Sequence, residues 1–260
     1  MNTKLDSIFK TMVQAVTSAC TAIMKIYKSS FSINYKEDNS PVTNADLESN
    51  KIITSYLDKF NIKILSEEIQ DDFSRLNESE IFILDPLDGT QDFVNRDDSF
   101  GVNLAYVVNG KPLIGIVGLP CEKGYAYAIK DEGAYLVKDN HKERLYVSSR
   151  DDNLIFIGSK THPIKEEIAL YNNPHISKVI TSGASTKAVL LSSGKADVSI
   201  RLTNLTKEWD VVSSNILVEE AGGYFITTKG KEFTYNKKDI VNNDGYIMIN
   251  KKENLKYFKY

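Results

Sequence analysis

Residues 81–93 read Ile81-Phe82-Ile83-Leu84-Asp85-Pro86-Leu87-Asp88-Gly89-Thr90-Gln91-Asp92-Phe93, an apolar strand that ends in carboxylates. Four apolar residues deliver Asp85 to the strand end. Pro86 has no N–H to donate, so the spacing predicts that the ladder stops there and the chain turns. Gly89 permits the backbone conformation that presents Asp88 and Thr90 towards one point. Two carboxylates three residues apart, a carbonyl at Leu87 between them and a hydroxyl beyond make a hard-oxygen cradle suited to Mg²⁺. An Asp-Pro and Asp-Gly turn can equally cap a strand and do no chemistry, so the rest of the chain must decide.

The chain on either side sets the fold class. Leu5, Ile8, Phe9, Met12, Val13, Val16, Ala19, Cys20, Ile23 and Ile26 recur at helical spacing, so residues 3–28 read as one amphipathic helix. A polar loop from Lys36 to Thr43 precedes a second helix, which Thr43 or Asn44 can cap. Leu47, Ile53, Leu57 and Phe60 mark its inner face. Ile62 to Leu65 is a short strand running into Ser66-Glu67-Glu68. Residues 100–108 and 111–119 form a hairpin across Asn109-Gly110, and strands follow at 124–129, 133–138 and 143–148. From Leu154 the pattern alternates. Strands 154–158, 176–181, 196–200 and 223–228 are separated by helices 163–172, 185–193 and 208–221, and a last strand lies near 245–249. The chain is therefore α/β: residues 1–150 form an α+β part of two helices on a largely antiparallel sheet, and residues 151–260 an α/β part. The polar run Ser148-Ser149-Arg150-Asp151-Asp152 marks the join.

At 260 residues the chain can bury a sizeable core, and 42% hydrophobic with 26% charged residues is ordinary for a globular protein. A net charge of −3 offers no basic track for a polyanion, which argues against a nucleic-acid partner. His141, His162 and His175 are scattered and make no zinc-like cluster. Cys20 and Cys121 do not form a disulfide framework, which fits a reducing compartment. Lys4, Asp6 and Lys10 interrupt any apolar run at the start, and no stretch approaches the roughly 20 apolar residues of a membrane helix. The expected location is cytoplasmic, with no obligatory membrane partner.

Acidic groups stand at element ends in four places. Asp46 lies in the first turn of the second helix, Glu67 and Glu68 end a strand, Asp85 and Asp88 end another, and Asp210 opens a helix at Trp209-Asp210. Strand ends and helix starts are where rigid scaffolds meet ligands. Each has a plain structural reading as well. Asp46 and Asp210 can serve helix dipoles, Glu67-Glu68 can be a solvated pair, and Trp209 can be a core anchor. Their co-occurrence in this order and spacing changes the weighing.

Ser66-Glu67-Glu68, Asp85-Pro86-Leu87-Asp88-Gly89-Thr90 and Trp209-Asp210, with Pro41-Val42-Thr43-Asn44-Ala45-Asp46 upstream, resemble the lithium-sensitive, inositol monophosphatase-like family of Mg²⁺-dependent phosphatases. The resemblance covers residues 36 to about 223 and implies that family's layered α/β/α/β/α fold. Glu67, Asp85 and the Leu87 carbonyl match ligands of a first Mg²⁺. Asp85 would bridge to a second ion, held also by Asp88 and Asp210. The resemblance allows a third ion near Glu67, with Glu68 behind it. Thr90 and Asp46 match the pair that orients and deprotonates water, a task a hydroxyl and a carboxylate can perform without histidine. Such ions offset the repulsion between a phosphate dianion and an incoming hydroxide. The substrate is accordingly a small phosphate ester, contacted at Glu67, Leu87, Asp88, Gly89, Thr90 and Asp210. Relatives are monomers or homodimers.

Within the family, Lys36-x-Asp38-x-Ser40-Pro41-Val42-Thr43 and Gly158-Ser159-Lys160-Thr161-His162 resemble the 3′(2′),5′-bisphosphate nucleotidases of bacterial sulfur assimilation. That likeness implies nucleotide contacts at Ser159 and His162; a surface, helix-capping histidine is the competing reading of His162. Gly183-Ala184-Ser185-Thr186-Lys187 resembles the segment whose glycine and lysine hold the nucleotide, against an ordinary capped helix with a solvated Lys187. Thr203 stands seven residues before Asp210, where inositol monophosphatases carry a glutamate for inositol hydroxyls. Its loss argues against a polyol substrate. Gln91-Asp92 also departs from the family's usual pairs. The implied reaction is hydrolysis of adenosine 3′,5′-bisphosphate to AMP and phosphate. Inositol monophosphatase or fructose-1,6-bisphosphatase activity is the alternative. Outside this class stand a two-metal nuclease and a non-catalytic metal or nucleotide sensor.

Overall fold

The computed structural model describes residues 3–36 and 40–258; Asp38 of the Lys36–Thr43 string lies outside them. Helix α1 (Thr3–Tyr27) buries Ile8, Met12, Ala15, Val16, Ala19 and Ile23 on one face, as its spacing requires. A hairpin of β1 (Ile33–Tyr35) and β2 (Pro41–Thr43) leads into α2 (Asn44–Leu57). Strands β3 (Lys63–Ser66) and β4 (Glu80–Asp88) pair in parallel, joined through the 3-10 turn Ser74–Asn77. A short helix α3 (Thr90–Val94) follows. Next comes an antiparallel meander of β5 (Gly101–Val108), β6 (Lys111–Leu119), β7 (Gly124–Ile129), β8 (Gly133–Lys138) and β9 (His141–Arg144). β3 to β9 make one seven-stranded sheet in sequence order.

An irregular stretch, residues 145–153, leads to β10 (Leu154–Ser159), α4 (Lys165–Ala169), β11 (Ile176–Ser182) and α5 (Thr186–Ser192). Then come β12 (Val198–Arg201), α6 (Glu208–Glu220), β13 (Tyr224–Ile226) and β14 (Tyr246–Ile249). The second sheet has the order β11-β10-β12-β14-β13, parallel among the first three strands and antiparallel at β14.

Period-two alternation in β4 explains the layers. Phe82 and Leu84 join α1 and α2 in one core, while Ile81 and Ile83 join α5 and α6 in another. A third core of Leu154, Phe156, Val198, Ile200 and Ile247 lies on the far face of the second sheet, under Leu170, Tyr171 and Phe258. Helix, sheet, helix, sheet and helix thus stack in the expected α/β/α/β/α order. Among the described residues no helix is long and apolar enough to cross a membrane.

Several local expectations need correction. Pro86 does not end the ladder: β4 continues to Asp88, with a register shift that sets Asp85 opposite Asn103 and Asp88 opposite Gly101. The extra residue is a bulge, where a missing N–H costs no ladder bond, and the Pro86 carbonyl accepts from Ser49 Oγ at 2.6 Å. The loop expected before α2 contains β2. Leu47 is 53% exposed; α2 instead presents Ala45, Ser49, Ile53 and Leu57, whose small members let it sit close to the sheet. The strand expected at 143–148 is β9 at 141–144. Past it Leu145 joins the core shared with α6, and the Val147 amide bonds to the Ala221 carbonyl. The helix expected at 163–172 is α4 plus a 3-10 turn at 170–172.

The central strand β6 is thinned on both faces. A Cβ at Gly118 would come within 2.7 Å of Val16 Cγ1 on α1, and one at Gly115 within 2.4 Å of Ile216 Cγ2 and 3.1 Å of Ser213 Cα on α6. Gly115→Ala should therefore cost about 1–3 kcal/mol by overpacking, read as a lower urea midpoint with unchanged slope. An unchanged midpoint would mean that α6 is not seated against β6 as described.

Candidate active site

Asp46 and Asp210 occupy the same position, three residues into α2 and α6, and the helix start holds each in the same way. One Asp46 oxygen accepts from the Thr43 amide at 2.7 Å and the Thr43 hydroxyl at 2.6 Å. Its other oxygen accepts from Thr90 Oγ1 at 2.9 Å. Asp210 likewise takes the Lys207 amide at 2.6 Å on one oxygen. The capping function and the site function read from the sequence therefore sit on opposite oxygens of one carboxylate. Thr90 is presented by Gly89, whose φ of +89° suits glycine, and its hydroxyl also lies 3.1 Å from the Leu87 carbonyl.

The β4 bulge brings Asp85 and Asp88 to the same place. Asp85 is 1% exposed and accepts the Leu87 amide at 3.1 Å. Asp88 Oδ2 accepts from Asn103 Nδ2 at 2.9 Å and from the Ser185 amide at 2.7 Å. Oxygens of Glu67, Asp85 and Asp210 all lie within 4.8 Å of one another. Burial, then the Glu67, Asp88 and Asp210 charges, hold the Asp85 carboxyl well above its ordinary range. Burial, then Asp88 and Glu67, push Asp210 up to about 8. Asp88 is raised by burial too.

These donors fit a divalent cation. They are hard oxygens only, with the Leu87 carbonyl beside them, as Mg²⁺ prefers. Lys36 Nζ now bridges Glu67 at 2.8 Å and Glu68 at 2.6 Å. Burial disfavours that ammonium, but Glu67 and Glu68 outweigh it and hold its pKa above the ordinary value.

Glu67, Asp85, Leu87, Asp88, Gly89, Thr90 and Asp210 line a cleft of 540 Å³, together with Ser159, His162, Gly183 and Lys187 from the other side. Asp46 stands behind Thr90. Two basic side chains, Lys187 and Arg201, line this part of the cleft beside Asp92 and Glu167. Lys187 makes no ion pair or hydrogen bond among the described residues; burial draws its pKa down, Asp88 offsets part of this, and Arg201 adds to it. Arg201, 8% exposed, spends Nη1 on the His162 carbonyl at 2.7 Å and Glu167 at 3.2 Å. Ser159 Oγ accepts the His162 amide at 3.1 Å, so this hydroxyl shapes the turn.

Sequence reasoning passed over residues that hold these groups. Asn103 is fully buried and orients Asp88; a lone amide in the apolar run Val102-Asn103-Leu104 was the available signal. Asp92, noted only as a departure, accepts from Thr161 Oγ1, and Lys160 pairs with Asp97. Two struts thus fix the 159–162 segment to α3 and to the chain just after it. Gly183 is explained in the same place, since a Cβ there would stand 2.2 Å from Asp92 Oδ2. Thr203 is not among the cleft-lining residues.

An acid whose pKa is higher folded than unfolded favours the folded state below the unfolded value, and that advantage is lost as pH rises through the folded value. For Asp210 the window runs from about 4 to about 8. The metal-free protein should therefore lose thermal stability between pH 5.5 and 8, and millimolar Mg²⁺ should flatten the loss. Melting curves in EDTA and in Mg²⁺ check this; equal slopes in both would contradict it.

Comparison with known proteins agrees with the architecture. Residues 4–257 match the model of the inositol monophosphatase family. The 3′(2′),5′-bisphosphate nucleotidase CysQ of Aggregatibacter actinomycetemcomitans is 31% identical over 250 residues, covering 93% of this chain and 92% of that one. The protein of the same name from Haemophilus influenzae is 30% identical, covering 87% of each. The crystal structure of CysQ from Bacteroides thetaiotaomicron superposes with a TM-score of 0.83 at 28% identity, over 96% of this chain and 99% of that one. The chain belongs to the inositol monophosphatase family.

Proposed function

We propose that this chain is a Mg²⁺-dependent phosphomonoesterase that removes the 3′-phosphate of adenosine 3′,5′-bisphosphate, leaving AMP. The observation that carries the reading is the pairing of two walls in one cleft. The carboxylates and the Thr90–Asp46 pair stand on one side, and Lys187, without an ion-pair or hydrogen-bond partner among the described residues, stands with Arg201 on the other. A bisphosphate suits both walls, and the names of the relatives support the nucleotide.

Glu67, Asp85 and the Leu87 carbonyl would hold one cation, and Asp85, Asp88 and Asp210 a second. When bound, Mg²⁺ supplies charge neutralisation at the phosphoryl oxygens and acidification of water. The chain's own residues do the rest. Thr90 Oγ1 carries one proton and has two acceptors, Asp46 Oδ1 and the Leu87 carbonyl. With that proton donated to Asp46 Oδ1, the Thr90 Oγ1 lone pairs accept from a water and orient it. Burial raises the Asp46 pKa, against the hydrogen bonds from Thr43 and Thr90, which makes it a better base than a solvated aspartate. Lys187 and the remaining donors of Arg201 hold the second phosphate. The 159–162 turn, braced by Asp92, forms the wall for the nucleoside.

Phosphate release from adenosine 3′,5′-bisphosphate, inositol 1-phosphate and fructose 1,6-bisphosphate, measured side by side, tests this. We expect kcat/KM for the nucleotide to exceed the others by about 100-fold or more, with EDTA abolishing all turnover. A preference for the inositol or sugar ester would overturn the pocket reading and leave the cation site standing.

Two substitutions separate the walls. Asp88→Asn should keep the fold and remove most activity on every substrate, because it deletes a ligand charge while preserving shape; full turnover at saturating Mg²⁺ would remove Asp88 from the cation site. Lys187→Ala should lower kcat/KM for the bisphosphate about 10- to 100-fold while leaving adenosine 3′-monophosphate nearly unchanged. An equal loss on both would place Lys187 elsewhere in the mechanism.

A further inference from the structure

The carboxylates of the cleft arrive on separate parts of the chain. Glu67 follows β3, Asp85 and Asp88 lie on β4, and Asp210 rides on the first turn of α6. A cation site tolerates only a fraction of an ångström between such parts, since Mg²⁺ demands near-octahedral geometry. Something outside the cleft must set the position of α6.

The start of α6 has an unusual anchor. Its N-cap, Lys207, makes no side-chain cap bond. Glu208, fully buried, does not cap its own helix either. Its carboxylate reaches out to accept the backbone amides of Asn236 at 2.8 Å and Lys237 at 3.0 Å, while its own amide donates to the Ile240 carbonyl at 2.9 Å. Burying a carboxylate is costly unless fixed donors meet it, and here both donors are backbone.

The same loop is gripped from the other direction. Asn236, at φ +62°, accepts from Arg75 Nη1 at 2.8 Å and donates to the carbonyls of Arg75 at 3.0 Å and Glu78 at 3.2 Å. Arg75 Nη2 donates to the Lys237 carbonyl at 3.0 Å. Arg75 is 2% exposed and is held by Asp71 through Nε at 3.0 Å and Nη2 at 2.7 Å. It belongs to the turn Ser74–Asn77, which joins β3 to β4. The link therefore runs from the connection between the Glu67 and Asp85 strands, through Arg75, Asn236 and Glu208, to the helix turn that carries Asp210.

We propose that Arg75, Asn236 and Glu208 are positioning residues that set the distance of Asp210 from Glu67 and Asp85, and so set the affinity of the site for divalent cations. The inference rests on the reading of those three carboxylates as a cation site. A merely structural brace would change stability alone; this one changes cation binding.

Calorimetric titration of the full-length protein with Mn²⁺ tests it, alongside the Mg²⁺ dependence of phosphate release. Asn236→Gly keeps the left-handed backbone and deletes the side-chain bonds. It should weaken Mn²⁺ binding about tenfold and raise the half-saturating Mg²⁺ concentration similarly, with kcat at saturating Mg²⁺ within about twofold of the wild type. Asn236→Asp keeps the acceptor for Arg75 but sets a carboxylate oxygen against the Arg75 and Glu78 carbonyls, so it should recover little of the affinity. Glu208→Gln, which loses one of two acceptors, should weaken Mn²⁺ binding in the same direction and serves if Asn236→Gly does not fold. Wild-type Mn²⁺ affinity in a folded Asn236→Gly or Glu208→Gln protein would overturn the positioning role. A wild-type protein that binds no Mn²⁺ would overturn the cation site itself, and the inference with it.

Discussion

Mutual repulsion among buried carboxylates is the constraint on which the rest of the structure depends. Glu67, Asp85 and Asp210 bring oxygens within 4.8 Å of one another, and Asp88 stands beside them. In a partly buried site each such contact is unfavourable by several times its cost in water. Burial and this repulsion together raise the Asp85 and Asp210 pKa values, and Lys36 pairs with Glu67 and Glu68. Left to themselves, flexible side chains on such a cluster would splay. Three of the four are fixed by backbone, Asp85 by the Leu87 amide, Asp88 by the Ser185 amide and Asp210 by the Lys207 amide, and Glu67 is held by Lys36.

The fold supplies those fixings at its joints. β4 is the strand around which the layers are arranged, one face packing on α1 and α2 and the other on α5 and α6. Its bulge at Pro86 lets Asp85 and Asp88 address one point despite lying three residues apart. Helix starts supply Asp46 and Asp210, and the position three residues into a helix lets one carboxylate both close the helix end and serve the cleft. Helix α5 and strand β12 then bring Lys187 and Arg201 to the same cleft.

Much of this was legible in the residues. The hairpin at Asn109-Gly110, the α1 stripe and the alternation after Leu154 carry strong local periodicity, and the structure places those elements within a few residues of expectation. Failures came where tertiary contacts override local pattern. Pro86 reads as a strand end because its missing donor is local, whereas the bulge that tolerates it depends on β5. Leu47 reads as core because it is apolar, whereas the close seat of α2 is set by Ala45 and Ser49. The acids of the cleft were recognisable by motif. Asn103, Asp92 and Glu208 were not, since their partners lie 15, 69 and 28 residues away and no spacing rule joins them.

The central claim is that these carboxylates are brought together to hold divalent cations. Anomalous diffraction from a Mn²⁺-soaked crystal of the full chain tests it most directly. The account predicts manganese peaks on either side of Asp85, one shared with Glu67 and the Leu87 carbonyl and one with Asp88 and Asp210, with Lys36 withdrawn from Glu67. A well-ordered crystal with no peak among these residues, and Lys36 still bridging Glu67 and Glu68, would contradict it.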